Sequence, residues 1–99
     1  MKQQIWRTSI NPNYEVSNYG LVRSVERTVT QMGIKRKIDS VVLKPVLAGK
    51  RMVVTLGALG PKRIDQLVAA AFFHEYKFGA PIKHKDCDFT NNSVDNLLI

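Results

Sequence analysis

Ninety-nine residues suffice for one small domain with a modest core, and a hydrophobic share of 44% excludes wholesale disorder. Fifteen Lys and Arg against eight Asp and Glu leave a net charge of +7, which suits a polyanionic partner, nucleic acid first, or a solubilising surface. The single Cys87 excludes an internal disulfide, residues 1–6 carry no apolar leader run, and no stretch is long enough to span a bilayer, so the expected setting is cytoplasmic.

The chain divides into three blocks without repeats or low-complexity tracts. In residues 6–27, Asn11-Pro12-Asn13 and Asn18-Tyr19-Gly20 are turn signals, because Pro fixes φ and Asn and Gly tolerate turn conformations. Residues 14–16 and 21–27 read as strands. Residues 28–39, with Gly33 and the run Lys35-Arg36-Lys37, read as a mobile basic loop. In residues 40–73, strands are predicted at 41–43 and 51–56, joined through Ala48-Gly49-Lys50, with Pro45 marking an edge or a bend. After a turn at 57–61, Asp65 is the expected N-cap of a helix over 66–73. Leu67, Val68, Ala71 and Phe72 fall on one apolar stripe of that helix, which reads as core. In the last block, a turn at 79–81 leads to a short strand at 82–85 and a polar loop over 86–92. Val94, Leu97 and Ile99 then form an apolar patch of one helical turn.

Three motifs in fixed order carry a family resemblance. Trp6 followed by Tyr14-Glu15-Val16-Ser17-Asn18-Tyr19-Gly20-Leu21-Val22-Arg23-Ser24 is similar to the N-terminal modular domain of HNH homing endonucleases of phages and mobile introns. Residues 64–72 resemble that family's helix, and His84-Lys85-Asp86, Asn91-Asn92 and Asn96-Leu97 resemble its active-site segment. The resemblance implies a ββα-metal fold that cleaves phosphodiesters. That chemistry needs a base to activate water and a hard cation at the leaving oxygen. By this resemblance His84 matches the general base. Asn91 and Asn92 match the asparagine pair, one of which braces the histidine strand, and Asp86 matches a loop-structuring residue.

The departures fall on the metal site. Lys83 stands where the family places a ligand, and an ammonium has no lone pair to donate. The helix carrying the second ligand falls beyond residue 99, and Asp65, Cys87 and Ile99 stand at the family's His, Gly and Trp. No metal residue is therefore expected, and no cofactor, save Mg²⁺ if cleavage persists. Lys83 as a replacement for the metal and a cation held by Asp86 or Asp88 are the minor alternatives. A calcium loop beginning at Asp86 is rejected, because Asn91 is its sixth residue and Leu97 its twelfth. Arg23, Lys35, Arg36, Lys37, Lys50, Arg51, Lys62 and Arg63, with Lys83 and Lys85 beside the base, are assigned to DNA phosphates; the bland alternative is a solvated face.

The expected fold is α+β: a small antiparallel sheet with one packed helix and a truncated HNH segment. Residues 1–99 form one domain, with 6–56 as the modular part and 62–99 as an HNH-like part lacking its final helix. The expected function is DNA binding by a degenerate HNH-like protein of phage or mobile-element origin, with nuclease activity lost or impaired. Two alternatives stand beside it: an active metal-dependent nicking endonuclease with His84 as base, and a repurposed phage protein that binds and inhibits a host protein.

Overall fold

The computed structural model describes residues 3–99. Strands β1 (Trp6–Thr8), β2 (Tyr14–Ser17) and β3 (Val22–Ser24) form an antiparallel sheet in that order. The predicted turn at 11–13 is present, with Asn11 O accepting from Tyr14 N at 2.9 Å. At the second turn, Ser17 Oγ accepts from the backbone N–H groups of Tyr19 and Leu21. Val16 faces Val22 across the sheet, and both are buried. The register of Trp6 with Ser17 puts it on the face opposite Val16, where the Arg23 guanidinium stacks 4.0 Å from its ring.

Residues 28–39 correct the expectation of a mobile loop. They form most of an antiparallel hairpin, β4 (Arg27–Gln31) with β5 (Ile34–Ile38). Its connection is the two-residue turn Met32-Gly33, with φ of 51° and 78°, the left-handed pair that matches strand twist. The turn was hidden because Met32 takes a place normally given to Asn, Asp or Gly. Every side of β5 is exposed.

Residues 41–43 make a single bridge, Val42 with Arg23, and extend the first sheet: Val41 O accepts from Ser24 N and Val22 O from Leu43 N. The second sheet is β6 (Val46–Ala48), β7 (Arg51–Thr55) and β8 (Pro61–Arg63), in that order. Pro45 precedes its edge strand, as its missing N–H requires. A short 3₁₀ turn at Gly57–Leu59 connects β7 to β8.

Helix α1 spans Ile64–Phe72, so its N-cap is Arg63 rather than the expected Asp65. Asp65 lies inside the first turn, which still suits the helix dipole. Leu67, Val68 and Ala69 are fully buried against Val16, Val22, Val54, Leu56, Ile82 and Leu97. Each large aliphatic side chain removed from water there contributes about 1.5–3 kcal/mol. The chain closes with β9 (Lys83–His84) paired to β10 (Leu97–Leu98), the latter preceded by a 3₁₀ turn at Val94–Asn96. The described residues thus form a small α+β protein with several antiparallel sheets and one α-helix. Among the described residues no helix is long and apolar enough to cross a membrane.

Candidate functional site

His84 lies opposite Leu97 across β9 and β10, and both are buried; Lys83 lies opposite Leu98, and both are exposed. Alternation along the strand therefore sends Lys83 and His84 to opposite faces. The sequence suggested Lys83 as the cation beside the base. The structure puts Arg51 there, its Nη1 being 3.4 Å from His84 Nδ1.

The hydrogen bonds fix the histidine tautomer. A guanidinium only donates, so Nδ1 presents its lone pair to Arg51 and the proton sits on Nε2. Asn92 Oδ1 accepts that proton at 2.9 Å in a buried contact. Phe89 meets the imidazole edge-on, with ring centroids 5.2 Å apart, and carries Arg51 over its face at 4.2 Å. Asp65, 2% exposed, accepts from Arg51 Nη1 at 3.0 Å and takes both Nε and Nη2 of Arg63. A charged and polar chain thus runs from Arg63 through Asp65, Arg51 and His84 to Asn92.

Asn91 serves a different group. Its Nδ2 donates to Asp86 Oδ2 at 2.8 Å. Asp86 Oδ1 also accepts from Asp88 N and from Asn96 Nδ2, each at 2.8 Å. These donors, Asn91 first, then the Asp88 backbone and Asn96, hold the Asp86 carboxyl below its usual range. Asp86 is therefore the organiser of its loop, as expected. Cys87 adopts φ of 61°, so a non-glycine residue occupies the left-handed region.

The N-terminal turn fixes the position of Asn92. Asn18 O accepts from Val94 N at 2.8 Å and from Ser93 Oγ at 3.3 Å. Gly20, at φ of 87°, brings its Cα so close to Asn92 that a Cβ would lie 3.0 Å from its backbone carbonyl.

The assigned cations separate into groups. Arg51 and Arg63 converge on Asp65, while Lys83 and Lys85 are exposed on either side of His84 in sequence. Arg23 is tied to Glu15 at 2.9 Å as well as to Trp6. Lys35, Arg36 and Lys37 lie on the exposed β5, with Lys37 3.0 Å from Glu26. Lys50 is exposed in the β6–β7 turn, and Lys62 is half-buried on β8. Asp65 as an ion-pair hub, Phe89 as a platform and Gly20 as a spacer were not foreseen. Their signals are long-range contacts that no local pattern displays. Among the described residues, no three His, Cys, Asp or Glu side chains gather as a metal-holding group. No protein-family model matches this chain, and the curated proteins and the solved structures yielded no match.

Proposed function

We propose that this chain is a DNA-binding protein of degenerate HNH type, with cleavage lost or impaired. The observation that carries the reading is the buried His84–Asn92 pair, borne on a short two-stranded unit whose loop is knotted by Asp86, Asn91 and Asn96. That arrangement is what supports the reading. The base is present, but its lone pair faces a guanidinium and the residue before it is a lysine. Both features oppose activation of a metal-bound water. The net charge of +7 and the exposed cations of β5 support a polyanionic partner.

The test joins two assays. Fluorescence anisotropy with a labelled duplex at low salt is expected to show binding that weakens steeply as salt rises. Absence of binding at low salt overturns the reading. Nicking of supercoiled plasmid with Mg²⁺ or Mn²⁺, absent in EDTA and in His84→Ala, would establish the active-endonuclease alternative in its place. A second reading, a host-protein inhibitor, is favoured by the exposed apolar side chains of Val41, Val42, Val46 and Leu47. Stoichiometric capture of one protein from nuclease-treated lysate, lost in Leu47→Lys, would support it.

A further inference from the structure

We propose that Arg51 anchors a site for one monoanionic oxyanion beside His84, filled by a single phosphodiester group. The proposal deepens the DNA-binding reading and rests on it for the identity of the ligand.

Charge is the first argument. Two guanidiniums share the buried carboxylate of Asp65, which leaves one positive charge uncompensated. A ligand bearing a single negative charge matches that remainder, as a phosphodiester does and a phosphomonoester dianion does not.

Preorganisation is the second argument. Arg51 is held by Asp65 at Nη1, by the His84 ring nitrogen and by the face of Phe89. Its conformational entropy is largely lost before any ligand arrives. Among the described residues, Nε and Nη2 make no hydrogen bond, and the side chain is 29% exposed. Those two groups form the edge of the planar fork that meets two oxygens of one phosphate in parallel. By contrast, Arg23 spends its Nε and Nη2 on Glu15, and Arg63 spends the same pair on Asp65. Arg51 is thus the arginine of this group with a free fork.

The experiment titrates ¹⁵N-labelled protein with dimethyl phosphate, reading arginine Nε–H and histidine ring resonances, beside duplex binding by anisotropy. Saturable shifts at Arg51 and His84 are expected, with linear or negligible shifts at exposed Arg36. Arg51→Lys keeps the charge but removes the fork and is expected to weaken binding by at least about tenfold. Phe89→Leu, which leaves every charge in place, is expected to weaken it less. Shifts at Arg51 that follow those at Arg36 without saturating overturn the site, and duplex binding persisting in that case leaves the DNA reading standing. Saturable shifts without duplex binding overturn the DNA reading and leave the oxyanion site.

Discussion

Single residues set the geometry around His84, and two of them act through φ. Gly20 sits at φ of 87° with the Asn92 carbonyl where a Cβ would go. Its replacement by alanine combines left-handed strain with a backbone clash that cannot relax cheaply, so Gly20→Ala should cost about 1–3 kcal/mol. It should also move the His84 ring resonances, because Asn92 holds that ring. Urea denaturation and a histidine NMR spectrum check both, and an unchanged denaturation midpoint would refute the argument. Cys87 is the opposite case. It is exposed, at φ of 61°, and its backbone N–H reaches His84 O at 3.0 Å. Glycine would relieve the left-handed penalty of about 1–2 kcal/mol but adds unfolded-state freedom worth up to about 1 kcal/mol. Cys87→Gly is therefore expected to raise the midpoint slightly, and a lowered midpoint would mean that the thiol makes a stabilising contact. Gly20 and Asn92 were both legible as motif positions. Their contact was not, since seventy-odd residues separate them and only the fold brings them together.

At the level of elements, the hairpin shows where sequence reading failed and what the failure conceals. The Lys35-Arg36-Lys37 run suggested a solvated loop, yet alternation on β5 gives these cations distinct faces. Lys35 and Lys37 pair with Thr30 and Thr28 on one side, while Arg36 pairs with Val29 on the other. A duplex lying flat against the ribbon can meet only one face. A ribbon seated within the major groove presents both faces to phosphates. The two cases separate on the salt dependence of duplex binding, where each lost phosphate contact lowers the log–log slope by about 0.9. We expect Lys35→Gln and Arg36→Gln each to lower it by that amount, as for a seated ribbon. Lys37→Gln should lower it less, because Lys37 is already paired with Glu26. A slope changed by Lys35→Gln but untouched by Arg36→Gln would place the duplex on one face. The helix, by contrast, was readable from its apolar stripe, and its start was missed by two residues because Asp65, which accepts from Gln66 N and from arginines of β7 and β8, sits inside the first turn rather than at the N-cap.

Across the whole molecule, the first and last segments are interdependent. The turn after β2 holds the strand-end loop through Asn18, Ser93 and Val94, while Asp86 ties the other end of that loop to Asn91 and Asn96. Loosening either tie therefore reaches Asn92 and His84, which gives acid a specific route to the site. The Asp86 carboxyl titrates below its ordinary value in the folded protein because its oxygens accept from Asn91, Asp88 and Asn96. A carboxylate of this kind stabilises the fold fully above its unfolded value, near about 3.9, and that contribution is lost as pH falls through the folded value. Asp86→Asn offers amide protons to donors and removes the contribution at neutral pH. The variant should accordingly be less stable than the parent at pH 7, with the gap narrowing as pH drops below about 4. Urea midpoints of both proteins across that range test it, together with His84 ring shifts, which should move in the variant at pH 7 and in the parent only on acidification. A stability gap that stayed constant down to the acid limit would show that the loop is held by something other than the ionised Asp86.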